Sequence, residues 1–278
     1  MNEKNALVKK SNDMISNARY KLTITQQKLI LFVMAKVRVE DKVFEEYDIP
    51  ISEIVAETGM SPESAYTRMA TEAKALMKQV FTLEEKNIVG KKDQTTLAWF
   101  ASFHHLEGSG SVQVCFAPRL KPYLLQLKSC FTTYPLACVL AMRSTYSIRL
   151  YEFLKMKMAF RHEVYFDLEA FKTLFQIDKK PAFGQYSNIK ARILLPALKE
   201  INKNTDLKIV KFLEKKKSRK VIGFTLIFGP KPSQEREALR DNYRAMKSIR
   251  NMKPAPFPEG SKTTLTFLDD APEVPSKN

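Results

Sequence analysis

Residues Tyr186 to Phe228 read YSNIKARILLPALKEINKNTDLKIVKFLEKKKSRKVIGFTLIF. At about 100° per residue, Ile189, Ile193, Leu194, Ala197, Leu198 and Ile201 share one side of a helix, and Asn188, Ala191, Arg192, Leu195 and Lys199 fall on the other. After a polar break the pattern changes to a period of two, that of strands. The two strands meet at a tip carrying Lys215, Lys216, Lys217, Arg219 and Lys220. From Tyr186 to Lys220 there are 11 Lys/Arg against 3 Asp/Glu, so this stretch holds +8 of the chain's net +16. A helix with a polar outer face followed by a cationic hairpin is the layout of a winged helix-turn-helix. In that fold the helix enters a major groove and the hairpin lies along phosphates. Pro196 falls inside the helix, where it removes one backbone donor, so the pattern predicts a kink or a helix built in two pieces.

The rest of the chain is consistent with a polyanionic partner. Its pI is near 9.6 and its hydrophobic content 44%, enough to bury real cores and to exclude a wholly disordered chain. The 278 residues allow one large domain or two of ordinary size. Cys115, Cys130 and Cys138 have neither zinc-site spacing nor an even count for a disulfide framework. They are expected to be buried thiols in a reducing cytoplasm. From the polar N-terminus no signal peptide is expected, and the longest apolar run, Leu29 to Ala35, is far too short to span a membrane.

Working outward, the first half predicts the same plan. Met1 to Lys21 is polar and expected to be loosely ordered. A helix then starts with Thr25 as cap, and a strand runs from Val43 to Ile49, with Pro50 opening a new segment. ISEIVAETG is a helix closed by Gly59, and Ser61-Pro62 opens the next. Helix, Gly-containing turn and helix form the helix-turn-helix pattern. The second of these helices has Ala65, Tyr66, Met69, Ala73, Leu76, Met77 and Val80 on one face and Ser64, Thr67, Arg68, Thr71, Lys74 and Lys78 on the other. A hairpin follows with Lys91 and Lys92 at its tip, and TLAWFASFHHL and SVQVCFA are strands separated by Gly108 to Gly110. PRLKPYLLQL turns helical after its second proline, and Phe131 to Pro135 is the expected domain boundary. Beyond it come a helix at Ser147 to Phe160, a strand at Glu163 to Phe166 and a helix at Leu168 to Phe175. The order helix, strand, helix, helix, hairpin thus occurs twice. The fold class is α+β: two tandem winged helix-turn-helix domains, 1–134 and 135–230, related by internal duplication. A polar helix (Ser233 to Arg250) and a Pro-rich tail make up 231–278.

Catalytic chemistry has no evident seat. There is no GxxxxGK[ST] or GxGxxG phosphate loop. His104 and His105 are adjacent on a strand and point to opposite faces, and with His162 they make no metal site. Neither a metal nor a cofactor is expected. Phe166, Phe171 and Phe175 fit core positions better than base-stacking platforms.

Four strings carry a family resemblance: NALVKKSNDMISNARYKLTITQQKLI at 5–30, PRLKPYLLQLKSCFTTYPL at 118–136, STYSIRLYEFLK at 144–155 and LLPALKEINKNTDLKI at 194–209. In this order they resemble the iteron-binding, theta-type plasmid replication initiators over about residues 5 to 230. The resemblance implies two winged-helix domains straddling repeated origin sequences in double-stranded DNA. It implies origin opening, recruitment of the host replication initiator and helicase, and no enzymatic activity. It further implies a homodimer in equilibrium with monomer, with the dimer contact largely in the first domain and the dimer repressing the initiator's own promoter. On this reading Ser64, Thr67, Arg68, Thr71, Lys74, Lys91 and Lys92 face DNA in the first domain. In the second domain Ser187, Asn188, Lys190, Ala191, Arg192, Leu195 and Lys199 do so from the helix, and Lys215, Lys216, Lys217, Arg219 and Lys220 from the wing. Two other classes compete: a rolling-circle nuclease, disfavoured by the lack of a His-x-His motif, and a winged-helix transcriptional repressor with an effector pocket.

Overall fold

The computed structural model describes residues 6–38, 40–50, 71–86, 92–106, 111–125, 127, 129–239 and 241. The helices expected between Ile51 and Ala70 therefore lie outside the described residues, as do the first hairpin's tip at 87–91 and the tail from 242.

From Leu7 to Arg19 the N-terminal segment is regular structure, contrary to expectation, and residues 1–5 lie outside the described residues. Strand β1 (Leu7–Ser11) leads into helix α1 (Asn12–Asn17), capped by Ser11, and then into β2 (Ala18–Arg19). Its apparent polarity misleads because one of its lysines, Lys10, points inward and is satisfied there. Helix α2 (Ile24–Met34) is capped by Thr23 rather than Thr25, since only Thr23 has a glutamine, Gln26, at the third helical position to complete a capping box. The next strand, β3, is shorter than expected (Tyr47–Pro50); Val43 is exposed, and Pro50 closes the strand.

Helical residues 71–77 bury Ala73 and Leu76 and expose Thr71 and Lys74. Val80, placed by periodicity on the buried face, is exposed at the start of β4 (Val80–Lys86). TLAWFASFHHL is two strands rather than one: β5 (Lys92–Ala98) and β6 (Phe100–Leu106) join different sheets, and buried Trp99 marks the break. With β7 (Ser111–Phe116) the sheets are β2-β4-β5 and β3-β7-β6, both antiparallel. After a 3-10 turn at Pro118–Leu120 and the short α3 (Lys121–Leu124), the expected boundary at Phe131–Pro135 is itself a strand, β8. It pairs with β1 in register from Leu7↔Pro135 to Ser11↔Phe131.

Helix α4 (Leu136–Leu140) precedes α5 (Thr145–Met158), around which the molecule is packed. Ser144 caps α5 by accepting from the Tyr146 and Ser147 amides. Its buried side chains include Arg149, Tyr151 and Glu152, residues that burial penalises unless they are paired. Each polar group reaches a different part of the chain. The Glu152 carboxylate lies 3.2 Å from the Lys10 ammonium and accepts from the Tyr134 hydroxyl. Arg149 donates to the Ala18 carbonyl on one side and, at 3.0 Å, to the Leu174 carbonyl on the other. Tyr151 and Lys155 both bind Asp206, at 2.7 and 2.8 Å. Burial is the largest influence on the Lys10 ammonium and works against it, but Glu152 and Tyr20 together outweigh it, so the Lys10 pKa is raised.

The second half follows as β9 (Glu163–Asp167), α6 (Leu168–Leu174), α7 (Tyr186–Ile189), a π-helical turn (Lys190–Leu194), α8 (Leu195–Asn204), β10 (Leu207–Lys217) and β11 (Lys220–Pro230). The sheet order is β10-β11-β9. Phe166, Phe171 and Phe175 are buried with Phe224, as their placement in the core requires. Gly223 of β11 sits so close to β9 that a Cβ would run into the Phe166 carbonyl and the Tyr165 ring. Both halves share one contiguous core. Of the thiols expected to be buried, only Cys138 is; its burial pushes the pKa up to about 11, while Cys130 is exposed.

Two outcomes follow from this packing. Lys10→Met leaves the Glu152 carboxylate enclosed without its cation and is expected to lower stability by about 3–5 kcal/mol in urea unfolding; a loss well under about 1 kcal/mol contradicts the packing role given to the pair. Gly223→Ala is expected to separate β9 from β11, seen as loss of amide protection across Glu163–Asp167; unchanged protection contradicts the close approach.

Candidate nucleic-acid interface

The outer face of α7, the π turn and α8 is the second-half surface with the features expected for reading DNA. Ile189, Ile193, Leu194, Ala197, Leu198 and Ile201 are buried, as the periodicity requires. Ser187, Ala191, Arg192, Leu195 and Lys199 are exposed, and Asn188 and Lys190 are half-buried. Leu195 is 47% exposed, an apolar side chain among the polar residues of this face. Among the described residues no side chain pairs with Arg192 or Lys199, so both cations are available to a partner.

Residues 186–204 stay helical throughout, and in place of two separate pieces a π turn lies immediately before Pro196. The Leu195 amide reaches back five residues to the Lys190 carbonyl, and Pro196 falls in the first turn of α8. A wider turn makes room for the proline ring, and the missing donor falls where the hydrogen-bond ladder has already changed. The Asn202 side chain then ties the end of α8 to β10 by accepting from the Ile209 amide at 2.6 Å. Lys203 was not among the residues expected to face DNA, yet it is exposed one turn beyond Lys199. Continuing the four-residue spacing past Lys199 would have found it.

The hairpin β10–β11 projects from the same core. Lys217 pairs with Lys220 across a two-residue tip of Ser218 and Arg219, with Ser218 at φ 54°. Lys215, Lys216, Lys217, Arg219 and Lys220 are all exposed. The Lys215 ammonium lies 5.1 Å over the Tyr165 ring, directed back across the sheet. Lys190 is not a free cation: it pairs with Glu214 of β10 at 2.8 Å.

In the first half only part of the expected face can be placed. Thr71 and Lys74 are exposed on helical residues 71–77. Ser64, Thr67, Arg68 and Lys91 lie outside the described residues, and only the backbone of Lys92 is described, at the start of β5. Among the described residues there is no cluster of three metal-ligating side chains, and no helix is long and apolar enough to cross a membrane.

Residues 7–155 match the profile described as initiator replication protein, WH1, and residues 167–228 the profile described as initiator Rep protein, WH2. The chain belongs to the initiator replication protein family. WH1 and WH2 are its two winged-helix domains, and the first profile runs through α5, which the packing above places between the halves. Among solved structures, this initiator is similar to the Pi initiator protein in complex with iteron DNA. The two share 19% identity over 83% of this chain and 99% of that one, with a TM-score of 0.68. The WH1 domain of MSBI1.176, a replication protein isolated from a multiple sclerosis patient, is 20% identical over 36% of this chain and 77% of its own, with a TM-score of 0.30. Domains 2 and 3 of RctB are 13% identical over 74% of this chain and 80% of theirs, with a TM-score of 0.46. No protein of curated function matches the sequence.

A cationic hairpin on phosphates displaces counterions, so its contribution is read from salt dependence. Replacing Lys215, Lys216 and Lys217 together by Ala is expected to reduce the slope of log K against log salt by up to about 0.9 for each phosphate no longer neutralised. An unchanged slope in duplex-binding titrations would remove the hairpin from the interface.

Proposed function

We propose that this protein initiates plasmid replication by binding iterons in double-stranded DNA, opening the origin and recruiting the host replication initiator and helicase. The observation that carries the reading is the solvent-facing side of α7–α8, with Arg192 and Lys199 unpaired among the described residues, set beside a hairpin tip of five exposed cations. The fold is that of the Pi initiator, which is described in complex with iteron DNA, and this supports the same target class here. In the second domain (135–230), which carries the main iteron contact, Asn188, Ala191, Arg192 and Leu195 approach base edges, with Ser187 and Lys199 beside them on the DNA-facing side. Lys215, Lys216, Lys217, Arg219 and Lys220 meet phosphates. In the first domain (1–134), which carries the dimer contact, Ser64, Thr67, Arg68, Thr71, Lys74, Lys91 and Lys92 form the equivalent face. The protein works without enzymatic activity or cofactor, in the cytoplasm, as monomer on the origin and as homodimer on its own promoter.

Arg192 is the residue best placed to bind guanine O6 and N7, an arrangement worth roughly 1–3 kcal/mol of discrimination. Arg192→Ala is therefore expected to weaken binding to the cognate repeat more than binding to random duplex, measured by fluorescence anisotropy on both. Equal losses on the two duplexes would rule out base reading by this side chain. Incubation with supercoiled origin DNA and a divalent metal separates this function from that of a rolling-circle nuclease: intact circles are expected, and nicking overturns the assignment.

A further inference from the structure

Glu214 is an acid in the middle of a surface whose other charges suit a polyanion. It lies on β10 between Lys211 and Lys215, paired with buried Phe224 of β11. Phe212 and Glu214 are partly shielded while Leu213 and Lys215 are exposed, so Glu214 is the last side chain of β10 to face the helices before the hairpin leaves the core. One carboxylate oxygen, Oε1, takes two partners: the Tyr186 hydroxyl donates to it at 3.0 Å and the Lys190 ammonium lies 2.8 Å away. Tyr186 and Lys190 are four residues apart at the start of the exposed helix, so both project from the same face. The Phe212 ring, 5.8 Å from the Lys190 ammonium, holds that cation from another side. The hydrogen bond from Lys190 keeps the Glu214 carboxyl below its ordinary pKa, and burial of Tyr186 beside it raises the phenol.

Electrostatics alone makes Glu214 unfavourable here, because a carboxylate near phosphates repels them. What it supplies is a mechanical link between the root of the wing and the first turn of the helix. We propose that Glu214 is a positioning residue for sequence discrimination: by clamping Tyr186 and Lys190 it fixes helix and wing relative to each other, so that base-facing and phosphate-facing side chains engage one duplex together. It also withholds Lys190, whose position in sequence suggested a DNA contact, from unselective phosphate binding. This inference rests on the function proposed above.

The test uses Glu214→Gln and Tyr186→Phe in the full chain. Their affinities are measured over a salt series for a duplex selected by the wild-type protein from a random pool and for a scrambled duplex. Glu214→Gln releases Lys190, and it is expected to tighten the scrambled duplex and steepen its salt slope by about 0.9. The cognate-to-scrambled ratio is expected to fall roughly fivefold, the size of an ordinary coupling between contacting groups. Tyr186→Phe leaves every charge in place and is expected to lower the ratio with the slope unchanged. If Glu214→Gln tightens both duplexes equally and Tyr186→Phe leaves the ratio alone, Glu214 only subtracts charge and the clamp is wrong. If the wild-type protein selects no sequence at all, the proposed function itself fails, and that result is visible before either variant is made.

Discussion

Burying a charge is costly unless a partner goes with it, and helix α5 buries two charged side chains in adjacent turns, Arg149 and Glu152. Their partners come from both halves of the chain. Glu152 is met by Lys10 of the first strand and Tyr134 of β8, and Arg149 by the carbonyls of Ala18 and Leu174. The helix is thereby held where Glu152 meets both of its partners and two of the three Arg149 nitrogens reach carbonyls, the third, Nη1, being left without one. That arrangement joins the two winged helices through one core, where a flexible linker would leave them independent.

The elements proposed to face DNA hang from the same helix. Asp206, at the junction of α8 and β10, is held by Tyr151 and Lys155, so the end of the exposed helix and the root of the wing share one anchor on α5. At the other end of the helix, Glu214 ties Tyr186 and Lys190 to β10. Between these two fixed ends the outer face is left to solvent. Crowding five cations at the hairpin tip costs self-repulsion, and the fold tolerates it because those side chains project into water beyond the aromatic core of Phe166, Phe171 and Phe224.

The second half was readable in sequence because its physics is local. Helix periodicity sorted Ile189 through Ile201 from Arg192 and Lys199 correctly, and Pro196 announced a break that a π turn accommodates. The misreadings arise where partners are distant in sequence. Lys10 looked like part of a polar tail because its counterion lies 142 residues away. Phe131–Pro135 did not look like a strand because nothing local reveals that β1 pairs with it. Trp99 did not betray that it separates two sheets, since an apolar run reads alike within one strand or across two. At the candidate interface, charge counting identified the cationic hairpin but credited Lys190 to DNA. Only the fold brings Glu214 within reach of it.

The central claim is that the α7–α8 face and the β10–β11 hairpin grip one duplex together, the helix in the major groove. Dimethyl sulfate probing of a bound repeat tests it most directly, because guanine N7 lies in the major groove and adenine N3 in the minor. The structure predicts protection of guanine N7 within the repeat and continued reactivity of adenine N3 there. Protection confined to adenine N3, with guanine N7 fully reactive, would contradict it.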